Sequence, residues 1–147
     1  MTVIGLDHVS VTCADLDRSL AFYHGVLGIP VRDRGVLAGA EIDVVLGHDG
    51  VDGVFADLAL GEGRTLELLQ YRRPLGAPIQ IEVHRPGAGH LALRVDDVDA
   101  LAERLREAGF APGAAVTLDD PRSFWHGARI LYVQDPDGAV VELIQRP

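Results

Sequence analysis

Apolar and polar residues alternate along most of this chain, and a period of three to four residues replaces the alternation in two places. This longer period predicts one helix that begins after Asp15 and ends before Gly28. It predicts a second helix from about Val98 to Ala108, which Gly109 ends. The alternating stretches predict strands near residues 3–12, 31–36, 41–46, 54–60, 64–71, 89–95, 114–118, 128–134 and 139–145. Each half is therefore predicted to form a strand, a helix and then further strands.

Two short segments in the first half return in the second half. The first half has LDHVSV at residues 6–11 and LELLQ at residues 66–70, and the second half has GHLAL at residues 89–93 and VELIQ at residues 141–145. The separation between the two segments is similar in both halves. This pattern indicates an internal repeat whose copies differ in loop length.

The chain has 147 residues, which is the usual size of one domain. We predict a single domain, residues 1–147, made of two modules. The modules cover residues 1–71 and 89–147, and a linker rich in proline and glycine joins them at residues 72–88. Neither module is large enough to be expected to fold alone.

Composition narrows the possible partners. The formal net charge of −9 argues against a nucleic-acid partner, because phosphate binding requires clustered lysine and arginine. No apolar run reaches the roughly 18 residues of a membrane span, and no signal peptide begins the chain. The single cysteine, Cys13, cannot form an internal disulfide. We therefore predict a soluble cytoplasmic protein that binds neither nucleic acid nor membrane.

Each repeat contains one histidine and one glutamate within an apolar stretch, at positions that correspond. These are His8 and Glu67 in the first copy, and His90 and Glu142 in the second. Such side chains need a polar partner, a cavity or solvent, and imidazole nitrogen with carboxylate oxygen suits a divalent metal ion. The alternatives are hydrogen-bonded core histidines and, for Glu67, a carboxylate at a solvent-exposed edge.

Two further residues are candidates for acid or base chemistry in the second half. His126 lies in a predicted loop before the strand that carries Tyr132. His126 is interpreted either as an acid or base above the site or as part of a packing loop. Tyr132 is interpreted either as a site residue or as a core residue with a bonded hydroxyl.

Four motifs in order resemble the vicinal oxygen chelate superfamily, which includes glyoxalases, bleomycin-resistance proteins and extradiol dioxygenases. They are DHV at residues 7–9, AFY at 21–23 with LG at 27–28, GH at 89–90 with RVDD at 94–97, and Tyr132 followed by DPDG at 135–138 and VEL at 141–143. The resemblance covers essentially the whole chain. It implies an α+β fold in which two tandem βαβββ modules form a curved mixed sheet around a metal-binding cup.

The resemblance also implies a ligand set and a chemistry. The superfamily's metal positions correspond to His8, Glu67, His90 and Glu142, and they would hold one divalent ion per chain, either Ni, Co, Zn or Mn. A glyoxalase I-like lyase or an epimerase-like isomerase would then move a proton next to a metal-chelated carbonyl of a small substrate. Glu142 or Glu67 would act as the base, and the epimerases differ by a glutamine where Glu67 stands. A homodimer is expected.

Two other functions stay open from the sequence. An extradiol-type dioxygenase would bind Fe(II) through His8, His90 and Glu142, although the Gly-x-His element that precedes the terminal signature in those enzymes is not matched at residues 124–126. A protein of the bleomycin-resistance kind would bind an aromatic ligand without chemistry. The full set of four ligands counts against this second alternative.

Overall fold

The first sheet contains four strands and carries its helix in the first crossover. The structure, a computed structural model, describes residues 2–147. The strand order of the first sheet is β1-β4-β3-β2, with β1 parallel to β4 and the other neighbours antiparallel. The elements are β1 His8–Thr12, α1 Leu16–Leu20 with a π-helical continuation over Ala21–Val26, β2 Val31–Ala38, α2 Ala40–Leu46, β3 Asp52–Ala59 and β4 Thr65–Arg73.

The second sheet repeats this plan without the additional helix. Its order is β5-β8-β7-β6, with β5 parallel to β8 and the other neighbours antiparallel. The elements are β5 Leu91–Arg94, α3 Val98–Glu107, β6 Val116–Thr117, β7 Arg129–Gln134 and β8 Val140–Gln145. The predicted α+β fold of two βαβββ modules with mixed sheets is therefore confirmed.

The chain divides into two compact units, Met1–Pro78 and Ile79–Pro147. Each unit has its own core on the side of the sheet where its helix packs. In the first unit that side contains Ala56, Leu58, Leu66 and Leu68, all fully buried. In the second unit the buried residues of α3 recur every three or four positions and pack with β7 and β8; they are Val98, Leu101, Ala102 and Leu105.

Because alternate residues of a strand point to opposite faces, each sheet also has an open face, the side away from its helix. In the first sheet this open face contains His8, Ser10, Asp57 and Glu67. Burial alternates along β4 accordingly, because its residues are half-buried and buried in turn from Thr65 to Leu68. The polar positions of the repeat therefore lie on the open face, and the core stays apolar.

The same hydrogen bonds fix the start of the helix in both units. Asp15 and Asp97 are N-caps whose carboxylates accept from the backbone N–H three residues later, at 3.0 and 2.9 Å. In addition, the backbone N–H of the first helical residue, Leu16 or Val98, donates to a glutamine at the end of the LELLQ or VELIQ segment, each at 3.0 Å. The repeat in sequence is therefore also a repeat in hydrogen bonding.

The prediction of a strand near residues 41–46 is wrong, because Ala40–Leu46 form helix α2. The alternation of polar and apolar residues in this segment is typical of a strand, but local hydrogen bonds favour the helix. Gly39, with a φ of 119°, ends β2, and Gly47 ends the helix in the left-handed conformation. The Asp43 carboxylate then accepts from the backbone N–H groups of Gly50 and Val51, both at 2.8 Å, which closes the following turn.

The predicted strand near residues 3–12 begins only at His8. Residues 2–7 have no regular secondary structure, and Val3 and Ile4 are almost fully exposed at 93% and 101%. Apolar residues alone cannot make a strand without a neighbour, and β4, the neighbour of β1, begins its pairing opposite His8. The histidine of the first repeat therefore marks the end of the ladder.

We expect Asp43→Asn to lower stability near neutral pH and to have little effect in acid. The hydrogen bonds from Gly50 and Val51 hold the pKa of the Asp43 carboxyl below its ordinary value of 3.8. A group whose pKa is lower in the folded state contributes stability that is present above the unfolded pKa and is lost as pH falls through the folded pKa. The difference between the urea midpoints of the two proteins should therefore begin to shrink below about pH 4 and vanish only below the folded pKa of Asp43. Asp49→Asn, in the same exposed turn, is the control, and a difference that is constant with pH would contradict this prediction.

Candidate functional site

His8 and Glu67 face each other across the parallel pair β1 and β4 in the first unit. Glu67 lies opposite Ser10, two residues after His8 and therefore on the same face of β1. His8 Nε2 is 3.9 Å from Glu67 Oε2. The histidine side chain is about half exposed and the glutamate is 26% exposed, so both remain accessible from the open face.

His90 and Glu142 form the corresponding pair in the second unit. Glu142 lies opposite Ala92, again two residues after the histidine, although His90 itself stands just before β5. His90 Nε2 is 3.0 Å from Glu142 Oε2, and the glutamate side chain is only 13% exposed. The two units therefore present a histidine and a glutamate in the same register, with the second pair shorter and less exposed.

Asp7 orients the imidazole of His8. The carboxylate oxygen Asp7 Oδ1 lies 2.8 Å from His8 Nδ1, which therefore carries the hydrogen and donates it. In the neutral ring Nε2 then carries the free electron pair, the form in which histidine binds a metal ion. This hydrogen bond is the main reason that the pKa of His8 is raised above 6.5; partial loss of hydration opposes the rise, and the negative charges of Glu67, Asp7 and Asp57 add to it.

Within each pair, the two donor atoms lie at a separation that two ligands of one metal ion can have. Two ligand atoms, each ~2.1 Å from a metal ion, lie about 3.0 Å apart at a right angle and at most about 4.2 Å apart. The separations of 3.9 Å and 3.0 Å fall in this range. Over residues 2–147, no His, Cys, Asp or Glu side chains gather in a group of three or more that could hold a metal ion. Each unit thus places two potential ligand atoms at a suitable separation, and their binding of one metal ion stays a prediction.

Tyr132 lies beside the second pair. It is opposite Glu142 across β7 and β8, and its ring meets the His90 ring edge to face at 5.5 Å between centroids. Burial and the neighbouring negative charge of Glu142 raise the pKa of the Tyr132 hydroxyl. Tyr132 is nevertheless 42% exposed, so it is not enclosed in the core.

The position that corresponds to Tyr132 in the first unit is Asp57, which the sequence analysis missed. Asp57 lies opposite Glu67 across β3 and β4, as Tyr132 lies opposite Glu142. Two carboxylates in directly opposed positions repel each other unless a cation or donor lies between them. The sequence signal for Asp57 was its place in the strand before the LELLQ segment, but the register of the hairpin was needed to use it.

His126 lies apart from the second pair within its unit. It is an exposed residue of the segment before β7, and its backbone N–H donates to Ser123 O at 3.0 Å. The chain enters β7 at Arg129, opposite Gln145, whereas Glu142 is opposite Tyr132, three residues further along the strand. Three residues span about 10 Å in a strand. The structure therefore places His126 in a turn beyond the far end of the hairpin and not beside Glu142.

Comparison with known proteins decides the family. The family model of the Glyoxalase/Bleomycin resistance protein/Dioxygenase superfamily matches residues 5–143. The chain belongs to this superfamily. The resemblance found in the sequence motifs is therefore confirmed. Members of the superfamily generally use a divalent metal ion, commonly act on small molecules and often form dimers.

Two relatives within the superfamily span nearly the whole chain. The 2-epi-5-epi-valiolone epimerase of Actinomyces sp. is 33% identical, and the alignment covers 98% of this chain and 80% of that protein. A probable lactoylglutathione lyase of Synechocystis sp. is 28% identical, and the alignment covers 94% of this chain and 92% of that protein. At these identities the specific activity does not transfer to this chain.

A solved superfamily structure shows the same fold. The glyoxalase family protein APC24694 from Bacillus cereus superposes with a TM-score of 0.85 at 19% identity, covering 99% of this chain and 96% of that chain. At this identity the similarity concerns the fold. No helix among residues 2–147 of the present superfamily member is long and apolar enough to cross a membrane.

Proposed function

We propose that this protein is a metal-dependent enzyme that moves a proton at a carbon next to a carbonyl of a small substrate, as a glyoxalase I-like lyase or an epimerase-like isomerase. The observation that carries this proposal is the pair of histidine and glutamate residues that each unit holds in the same register on an accessible sheet face. Two matching halves of a ligand set are what a superfamily metal site requires.

In this proposal His8, Glu67, His90 and Glu142 hold one divalent ion, either Ni, Co, Zn or Mn. The bound ion would supply Lewis acidity that stabilises negative charge developing on the substrate oxygens. The Nδ1 hydrogen bond of His8 to Asp7 keeps Nε2 free for binding. The family supports the presence of a metal ion, and the choice of metal belongs to the proposal.

The proton transfer itself is assigned to a carboxylate. Glu142 takes the proton from the carbon next to the carbonyl. In a lyase of the glyoxalase type it returns the proton to the neighbouring carbon, and in an epimerase a second acid on the opposite face of the substrate protonates the same carbon. Tyr132 lies opposite Glu142 in the strand register, and its hydroxyl would hydrogen-bond a substrate oxygen. Glu67 is the alternative base, and His126 has no assigned role here because of its distance along the hairpin.

The names of the relatives agree with this class of reaction. One is an epimerase and the other a probable lactoylglutathione lyase, and inversion of a carbon centre next to a carbonyl requires removal and return of a proton. A soluble cytoplasmic homodimer remains part of the proposal, since family members often form dimers.

The test is deuterium exchange at carbon. The full chain, loaded with each metal in turn, is incubated in D₂O with 2-epi-5-epi-valiolone or S-lactoylglutathione, and the carbon next to the carbonyl is followed by NMR. We expect deuterium at that carbon only with metal-loaded protein. Oxygen uptake with catechols in the Fe(II) form would instead indicate a dioxygenase. Tight binding of aromatic ligands without metal or exchange would indicate a binding protein.

A further inference from the structure

A β-bulge places one arginine on the open face of the first sheet. In the pairing of β2 with β3, Val31 lies opposite Leu58 and Asp33 lies opposite Asp57, so Arg32 is the additional residue between them. Bulges re-aim side chains and are frequent next to active sites. Arg32 is exposed, and its guanidinium Nη1 donates to Thr65 Oγ1 at 3.3 Å, across the intervening strand.

Thr65 connects this arginine to the first histidine and glutamate pair. Thr65 is the register partner of His8, and Glu67 follows it on the same face of β4. Adjacent strands are about 4.8 Å apart. The Arg32 guanidinium therefore lies roughly one strand spacing from His8, on the face where the proposed substrate oxygens would lie.

The hydrogen-bond partner of Arg32 is neutral, and this separates it from most of the other arginines. Among residues 2–147, the arginines that bind a carboxylate within 4.0 Å include Arg34, Arg64, Arg72, Arg85, Arg106, Arg122 and Arg129. Arg32 donates to a hydroxyl, so its positive charge is not neutralised by that contact. A guanidinium of this kind matches the two oxygens of a carboxylate or a phosphate.

The second unit has no counterpart of this feature. Its corresponding strand, β6, contains only Val116 and Thr117. The Thr117 hydroxyl accepts from Arg129, whose guanidinium also binds Asp99 in a two-bond contact at 2.8 Å each. The bulged arginine therefore distinguishes the first unit from the second, although both carry the histidine and glutamate pair.

We propose that Arg32 binds an anionic group, a carboxylate or a phosphate, of the substrate and so determines specificity. This inference rests on the proposed function and names its substrate class: a small carbonyl compound with an acidic group only a few covalent bonds from the oxygens that lie at His8 and Glu67. Asp33 and Asp57 share the face and repel anions. Binding therefore depends on the short contact with Arg32 and on the charge of the bound metal ion.

The test measures anion binding without turnover. The metal-loaded full chain is titrated by calorimetry with inorganic phosphate and, separately, with malonate, and the probe that binds identifies the source of the acidic group. Variants are Arg32→Ala, Arg32→Lys and the matched control Arg34→Ala, which lies two residues later on β2 and binds Asp17. We expect Arg32→Ala to weaken binding about 10- to 100-fold, Arg32→Lys to weaken it less, and Arg34→Ala to change it less than about twofold.

A second measurement separates substrate binding from catalysis. For an acidic substrate of the exchange reaction, Arg32→Ala should raise KM by a similar factor with little change in kcat, and the neutral methyl ester should be unaffected. Equal losses in Arg32→Ala and Arg34→Ala, or no loss in Arg32→Ala, would overturn the proposal. Anion binding that requires Arg32, in a protein that exchanges no proton, would overturn the proposed function and retain the Arg32 site.

Discussion

His90→Ala is expected to reduce the affinity of the protein for its divalent metal ion by roughly 100-fold or more, the largest effect we predict for any single histidine. His90 Nε2 lies 3.0 Å from Glu142 Oε2, and the proposal makes both atoms ligands of the same ion. Removing the imidazole takes away one of four ligands and leaves the carboxylate with an incomplete site. Metal content by elemental analysis and affinity by competition with a chelating dye measure the effect.

His84→Ala is the matched control for this experiment. His84 also lies near a glutamate, with Nε2 3.5 Å from Glu82 Oε2, but it is highly exposed and stands outside the repeat. The His84→Ala variant should bind metal as the wild type does, whereas His8→Ala should lower metal affinity as His90→Ala does. If His90→Ala and His8→Ala bind metal as the wild type does, the two pairs are hydrogen-bonded or ionic pairs of the sheets and the proposed metal site is wrong.

The two βαβββ modules could be predicted from the sequence because both the apolar core positions and the polar positions recur in the two halves. The apolar alternation of β4 and β8 and the glutamines that follow them recur in both halves, and they form the same ladder and helix contacts. Helix α2 was missed because hydrophobic periodicity does not describe the hydrogen bonds that the backbone N–H groups of Gly50 and Val51 donate to the Asp43 carboxylate. Local polar hydrogen bonds outweighed the alternating pattern there.

The sequence could predict only those residues of the candidate site that recur in both copies of the repeat. His8, Glu67, His90 and Glu142 stand at corresponding positions, and the structure places each histidine with the glutamate of its own unit. Asp57 and Arg32 could not be found in this way. The position of Asp57 depends on the register of the hairpin formed by β3 and β4, and that of Arg32 depends on a bulge that no periodicity reveals.

Glu142→Gln is expected to lower kcat for proton exchange about 10²- to 10⁴-fold, while metal binding is weakened much less. The amide retains an oxygen ligand but cannot accept the substrate proton. We assign the base to Glu142 because its side chain is only 13% exposed, compared with 26% for Glu67, and because Tyr132 lies opposite it as a hydrogen-bond donor. Rates of deuterium exchange and metal content, measured on the same samples, separate the two effects.

Glu67→Gln is the matched variant, since it makes the same chemical change at the corresponding position of the other unit. We expect it to retain exchange within about tenfold of the wild type, because a glutamine at this position is what the resemblance to the epimerases implies for an active site. If Glu67→Gln loses exchange and Glu142→Gln keeps it, the base lies in the first unit, beside Asp57 and Arg32. The two carboxylates would then have exchanged roles, although the sequence repeat places both of them at corresponding register positions.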